Sequence, residues 1–405
     1  RKVEVSNNMK KNKVVVALSG GVDSSVAAYL LKEQGHDLIG LFMKNWHDEN
    51  VTISDECPWL DDSNDAMLVA EKLKIPFQTV DLSKEYKEKI IDYMFDEYSK
   101  GNTPNPDILC NKEIKFDVFM DIALSLGADY VATGHYSNII TNNTDINNIK
   151  YELHSGLDNT KDQSYFLCQL NQKHLNKIIF PIGNLNKTEV RKIAKTNNLV
   201  TADKKDSQGL CFVGKVSLPD FLQQKLKKKI GNVIEISSKS ELYTKDNNLI
   251  NEQERIIDLS RQINYTNLDG NIIGEHDGAH YFTIGQRKGL AIGGYNQPLF
   301  IIGTNTVTNE IFVGEGKNHP GLLKKALKIR FSEVNWVNDH FNYLNSKNLN
   351  LKAKIRYRQK LQKISISKYL DFLYVEFEDY QSAITPGQFV AIYDNSQLIA
   401  SGVIC

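Results

Sequence analysis

No stretch of this 405-residue chain comes near the roughly 20 consecutive apolar residues of a membrane span, and nothing near its start reads as a secretory leader. Net charge is also missing, since 49 basic residues balance 49 acidic ones. Bulk electrostatic attraction to nucleic acid is therefore not indicated, and any such binding has to come from local stripes. Cysteine is scarce: Cys57, Cys110, Cys168, Cys211 and Cys405 form no C-x-x-C pair and no cluster with histidine. That leaves no disulfide scaffold and no expected metal site, and it fits a reducing, cytoplasmic setting in which an important cysteine works as a thiol. There is no internal repeat, and the length exceeds one ordinary core, so two or three domains are expected.

What is present begins with Ser19-Gly20-Gly21-Val22-Asp23-Ser24-Ser25. An apolar run, Val14–Leu18, leads into it, and a helical pattern from Val26 to Gln34 leads out, with Gly35 as the residue that closes the helix. A strand, a glycine turn and a helix N-terminus make a phosphate cradle: the glycines allow close backbone approach, and the helix offers free N–H groups. Ser24 and Ser25 are placed to cap that helix or to donate to phosphate. The loop has neither the lysine of G-x-x-x-x-G-K-[ST] nor the spacing of G-x-G-x-x-G, so an ordinary βα turn is the competing reading.

Through about residue 215 strands and helices alternate. Strands are expected at Leu38–Met43, Phe77–Leu82 and Tyr130–Thr133, and helices at Asp62–Leu73, Lys84–Ser99 and Lys112–Leu126. This rhythm predicts an α/β, doubly wound parallel sheet with ligands at the carboxyl ends of its strands. Beyond a helix at Leu218–Lys228, short alternating segments take over: Tyr281–Ile284, Leu299–Gly303, Ile311–Gly314, Lys352–Tyr357, Leu373–Phe377 and Phe389–Tyr393. They predict a C-terminal antiparallel β-barrel after a small central domain. The expected layout is a disordered or appended extension at 1–12 with Met9 as a candidate start, an N-terminal domain at 13–216, a central domain at 217–297 with a mobile insertion near 237–270, and a barrel at 298–405.

Two cysteines stand in suggestive surroundings. Thr103-Pro104-Asn105-Pro106-Asp107-Ile108-Leu109-Cys110 reads as a stiff extended segment entering a helix capped by Asp107, with Cys110 in the first turn, where the dipole favours thiolate. An inert buried cysteine explains the same spacing equally well. Cys211, in Asp206-Ser207-Gln208-Gly209-Leu210-Cys211-Phe212-Val213-Gly214, lies between glycines and after Lys204-Lys205, as a reactive thiol would. The basic stripes Lys225–Lys229, Lys324–Arg330 and Lys352–Lys360 each read, alone, as solvated faces.

These segments, with FMKNW (Phe42–Trp46), ATGHY (Ala132–Tyr136), KDQSYFL (Lys161–Leu167), GEHDG (Gly274–Gly278), TIGQRKGL (Thr283–Leu290), RYRQ (Arg356–Gln359) and TPGQ (Thr385–Gln388), follow the order seen in tRNA-specific 2-thiouridylases of the PP-loop ATP pyrophosphatase superfamily. The chain resembles that family from about residue 12 to 403. The resemblance implies ATP-dependent 2-thiolation of the wobble uridine, U34, with ATP and Mg2+, in tRNAs for Lys, Glu and Gln. A cysteine desulfurase or sulfur-relay protein would supply the persulfide. It implies ATP binding by Ala17, Leu18, Ser19, Gly20, Gly21, Val22, Asp23, Ser24, Met43 and Gly134. Cys110 matches the nucleophile, Cys211 the persulfide carrier, and Asp107 a candidate acid/base. Asn105, Pro106 and Asp107 match the segment that touches the target base, while His135, Lys161, Asp162, Gln163, Arg356, Tyr357 and Gln388 match tRNA-contacting positions. The chain departs from the common pattern at Gln208, where Thr is frequent, in a longer segment around Ser237–Gln262, and at Pro298-Leu299-Phe300, which lacks the usual Trp. Competing readings are another adenylating tRNA-modifying enzyme of the superfamily and a non-catalytic RNA-binding protein. The first would not need both cysteines, and an amidotransferase would need a glutaminase signature that this chain lacks.

Overall fold

The computed structural model describes residues 11–45, 58–142, 149–205, 218–244, 251–338, 343–344 and 350–405. These form two compact units: residues 1–86, 110–164 and 172–215 in the first, and 87–109, 165–171 and 216–405 in the second. No helix among the described residues is long and apolar enough to cross a membrane.

The first unit is built on a five-stranded parallel sheet. Strands β1 (Lys13–Ala17), β2 (Asp37–Lys44), β3 (Phe77–Asp81) and β4 (Tyr130–Ala132) lie in the order β3-β2-β1-β4, and Ile178–Ile179 adds the last edge. The β1 residues Val14, Val15 and Val16 have no exposed surface, as expected of a central parallel strand covered on both faces. Helix α1 (Val22–Glu33) turns Ala28 and Leu31 toward the cluster holding Val14, Val16 and Phe42. Its Val22, Val26 and Ala27 pack instead with Val190 and Ala194 of the helix Lys187–Thr196. Gly35 closes α1 with φ +85°, as expected. The second helix, α2 (Pro58–Leu73), starts earlier than the apolar period suggested.

The second unit holds two sheets. In the four-stranded one the order is Leu299–Asn305, Glu310–Glu315, Gly231–Glu235, Asn271–His276. The first two strands past residue 297 therefore join this sheet, and the barrel sheet begins at Leu323. It runs Leu323–Arg330, Phe372–Ser382, Gln362–Tyr369, Leu351–Lys354, Phe389–Asp394, Gln397–Val403, antiparallel throughout. Cys405 N–H then donates to Lys328 O at 3.0 Å, returning the chain end to the first of these strands. Leu327, Ile329, Val375, Phe377, Val390 and Ile392 fill the interior.

Three expectations are corrected here. The segment Tyr281–Ile284 is not a strand: Ala279–Tyr281 forms a 3-10 turn, Gly285 takes φ +86°, and Gln286 Oε1 accepts from Thr283 N–H at 3.2 Å. The helix from Leu218 ends at Leu222 rather than Lys228. The described part of 237–270 is not a loose insertion either, because Glu252–Ser260 is a helix capped by Asn251, whose side chain accepts from Glu254 N–H. Ile256 packs on Ala326 and Tyr374, and Arg255 forks onto Glu376 at 2.6–2.8 Å. The polar composition concealed an amphipathic helix with one sufficient apolar anchor. Ile256→Ala should cost about 2–4 kcal/mol and open 237–270 to limited proteolysis; unchanged cleavage would show that the ion pair alone holds the helix.

Candidate functional site

In the first unit the site begins where β1 ends. Leu18 N–H still bonds Leu41 O at 2.9 Å, and the chain then turns through Ser19–Gly21. Gly20 has φ +74°, and a Cβ there would sit 2.2 Å from the Asp62 carbonyl oxygen, so no other residue fits. Gly21 differs. It is extended, and a Cβ on it would meet only Ser19 Oγ at 3.4 Å. The second glycine thus leaves the surface over the helix start clear. The first helical bond of α1 is Ser25 N–H to Gly21 O at 3.2 Å, so the amides before it have no acceptor within the helix. That end can take an anion.

The two serines tie the loop together rather than cap α1. Ser24 Oγ accepts from Ser19 N–H at 3.1 Å, and both Ser24 and Ser25 hydroxyls donate to Gly21 O, at 3.1 and 2.7 Å. No side chain caps α1. Thr201 Oγ1 donates in turn to Ser25 Oγ at 2.9 Å. On the other side Gly134 presses against the loop, since a Cβ there would lie 2.6 Å from the carbonyl carbon of Asp23 and the nitrogen of Ser24. Met43, near the end of β2, is buried.

Asp23 faces both oxygens to Lys187 Nζ at 2.8 Å and accepts from Tyr136 OH at 2.7 Å. The pair matters because an unneutralised carboxylate beside a phosphate cradle would repel its ligand. Sequence reasoning missed Lys187, yet a signal existed. Asn186 and Glu189 form a capping box that fixes a helix start, and a lysine in the first turn opposes the helix dipole, so it has to serve something else. Lys204 was missed as well; it joins Asp62 and Asp65, while Arg191 holds the carbonyls of Ala202 and Lys204.

Several expected contact positions turn out to be internal. His135 is buried between Phe116 and Phe180, with Thr133 Oγ1 2.7 Å from Nδ1, and burial holds its pKa well below the ordinary histidine value. It is a neutral ring at physiological pH. Asp162 is buried and accepts from Gly156 N–H, Ser164 N–H and Ser164 Oγ at 3.0–3.1 Å. Gln163 exchanges bonds with the Tyr136 backbone, at 3.0 Å through its side chain and 2.9 Å through its N–H. Lys161, beside them, is half-buried. Cys110 has no exposed surface and opens a π-helical stretch, Cys110–Val118. Cys211 and its segment, Gln208 included, lie outside the described residues, as do Trp46 and Cys57.

In the second unit three motifs meet. Gln388 Nε2 donates to Thr103 O at 2.9 Å and Pro104 O at 3.3 Å, and Asn105 Nδ2 donates to Gln388 Oε1 at 3.3 Å. Thr103 N–H bonds Pro386 O at 3.0 Å, and Gly387, at φ +88°, leaves no room for a Cβ beside Thr103. Thr283 Oγ1 lies 3.1 Å from Thr103 Oγ1. The segment before the helix is thereby gripped by residues 283 and 385–388. Asn105, not Asp107, caps the helical turn Pro106–Leu109, accepting from Ile108 N–H at 3.2 Å, with Pro106 first in the helix. Asp107 is then inside the turn, and Cys110 lies beyond that first turn, in which the dipole is strongest. Tyr357 packs against Phe166 with centroids 4.4 Å apart and the rings tilted by 35°, and Arg356 donates to Ala383 O at 2.8 Å. Lys354, from a predicted solvated stripe, is buried over the rings of Tyr165 and Tyr393.

Comparison with known proteins gives three domain matches: a tRNA methyl transferase HUP domain over residues 12–215, a tRNA methyl transferase PRC-barrel domain over 251–315, and an aminomethyltransferase beta-barrel domain over 326–404. The tRNA-specific 2-thiouridylase MnmA of Christiangramia forsetii is 61% identical over 97% of this chain and 99% of its own. The protein of the same name in Flavobacterium johnsoniae is 60% identical over the same shares. The domain labels speak of methyl transfer and the full-length relatives of thiolation; identity at this level over whole chains outweighs the labels. A solved 4-thiouridine synthetase–RNA complex with bound ATP covers 51% of this chain and 46% of its own at 18% identity and a TM-score of 0.32, too slight a likeness to bear on the argument.

The Asp23–Lys187 pair carries a prediction. Lys187→Met should weaken ATP binding about tenfold or more, equivalent to ~1.4 kcal/mol, by leaving Asp23 uncompensated, and Asp23→Asn in that background should restore most of it. Calorimetric titration reads both; an unchanged affinity in the single variant would refute the neutralising role.

Proposed function

This chain belongs to the tRNA-specific 2-thiouridylase family, and we propose that its residues divide ATP-dependent 2-thiolation of the wobble uridine as follows. ATP sits with its phosphates on Ser19–Ser24, the N–H groups at the start of α1 facing them. The observation that carries this reading is the cleared surface at Gly21 above those amides. Mg2+ would enter with the nucleotide and offset the charge of its phosphates. Met43 and Gly134 complete the nucleotide's surroundings.

The uridine O2 attacks the α-phosphorus, pyrophosphate leaves, and O2 becomes part of a good leaving group, AMP. Developing negative charge on the departing pyrophosphate is met by the helix N-terminus. The terminal sulfur of a Cys211 persulfide then attacks C2 and expels AMP, forming a disulfide-linked adduct. The Cys110 thiolate attacks Cys211 Sγ and releases 2-thiouridine, which leaves a Cys110–Cys211 disulfide for two cellular thiol equivalents to reduce. Asp107, one helical step before Cys110 in sequence, is the proposed proton acceptor. Sulfur comes from a cysteine desulfurase or relay protein, and the cytoplasm is the proposed compartment.

The tRNA, of the Lys, Glu and Gln isoacceptors, has to splay its wobble base out of the anticodon loop, which costs little in a single-stranded segment. Asn105-Pro106-Asp107 is proposed to meet that base, held in shape by Gln388. His135, Asp162 and Gln163 then act on tRNA through the framework they hold, while Lys161, Arg356 and Tyr357 are the candidates for direct contact.

The test is sulfur transfer from labelled cysteine through a desulfurase to an unmodified tRNA, with Cys110→Ala and Cys211→Ser run beside the natural protein. Label should reach U34 only with ATP and fall to background in both variants. Full transfer by Cys211→Ser would sink the scheme.

A further inference from the structure

Asn45 follows the last residue of β2 and is 2% exposed, yet neither its Nδ2 nor its Oδ1 has a partner among the described residues. Buried amides are rarely left so, because each orphaned group forfeits its hydration without compensation, at about 1–3 kcal/mol. A leucine of similar size would be cheaper at this position. A second buried donor, the Trp59 indole N–H, is also without a partner among the described residues. Trp59 lies next to the same strand end, with Lys44 Nζ 5.1 Å above its ring.

The place of Asn45 in the sheet narrows what could satisfy it. Strands β1 and β2 are parallel neighbours, with Ala17 opposite Leu41, and the phosphate loop leaves β1 just beyond. Ligands of open parallel sheets lie across the carboxyl ends of the strands. With phosphates on the β1 loop, the rest of the nucleotide extends over β4 or over β2. On the β4 side Gly134 lies directly against the Asp23–Ser24 peptide and presents only backbone. The β2 side ends in an unsatisfied amide.

We propose that the Asn45 side chain reads the base of the nucleotide and selects adenine over guanine. The amide presents an acceptor beside a donor, the complement of adenine's amine beside a ring nitrogen. On the edge that carries N7, guanine presents two acceptors, so an amide in either orientation makes one bond to it where it makes two to adenine. This assignment rests on the reading of Ser19–Ser24 as an ATP loop.

Calorimetric binding of ATP and of GTP to the full chain tests it, together with melting in the absence of nucleotide. Asn45→Leu should raise the ATP dissociation constant about tenfold, about 1.4 kcal/mol. It should leave GTP binding nearly unchanged, so that the preference collapses, and should melt no lower than the natural protein. Asn45→Asp, which keeps the shape and removes the donor, should show the same loss of preference and guards against misfolding of the first variant. An unchanged ATP-to-GTP ratio in either folded variant overturns the assignment, most clearly if Asn45→Leu also melts lower. A natural protein that binds neither nucleotide brings down the ATP reading itself, and a variant affinity is then beside the point.

Discussion

The turn between β1 and α1 depends on backbone lying where side chains would otherwise be. The Asp62 carbonyl occupies the place of a Gly20 Cβ on one side, and Gly134 meets the Asp23–Ser24 peptide on the other. Between these contacts the loop has one conformation, reinforced by two hydroxyls that donate to Gly21 O. The amides at the start of α1 are consequently pre-aimed, and an arriving anion need not order them. The same packing links α2, through Asp62, to the cradle, and Lys204 ties that helix to the chain running toward Cys211.

Charge is handled locally throughout. A chain with no net charge cannot rely on its overall field to collect polyanions. Asp23 is matched by Lys187 and Arg255 by Glu376, and Lys354 is drawn under two tyrosine rings rather than displayed. The second unit makes its contribution by shape. Gln388 spends its amide on Thr103, Pro104 and Asn105, and in doing so sets the entry to the helix that leads to Cys110.

The sequence was most readable where one physical demand dominates. Continuous apolar strands, glycines at positive φ and a closing Gly35 gave the parallel sheet, the loop and α1 nearly as they are. It was least readable where two demands produce the same residue. Asp107 and Asn105 are both good caps, and only the fold shows that Pro106 begins the helix and hands the cap to Asn105. Asp162 and Gln163 look like surface polar groups ready for a ligand, whereas Asp162 is buried and three backbone amides between them occupy the oxygens. Glu252–Ser260 was hidden because its apolar content is small and its ion pair, Arg255 to Glu376, reaches more than a hundred residues along the chain. Lys187 was overlooked for the same reason: its partner, Asp23, is remote in sequence.

The central claim is that nucleotide activation on the glycine loop and sulfur delivery by the cysteines are separate steps. The most direct measurement is pyrophosphate release by a Cys110→Ala, Cys211→Ala protein mixed with ATP, Mg2+ and unmodified tRNA in a single turnover. The account predicts a burst of about one pyrophosphate per enzyme-bound tRNA, with the adenylated tRNA accumulating and no sulfur added. Absence of that burst, with both ligands shown to bind, would mean that activation requires the cysteines and would contradict the account.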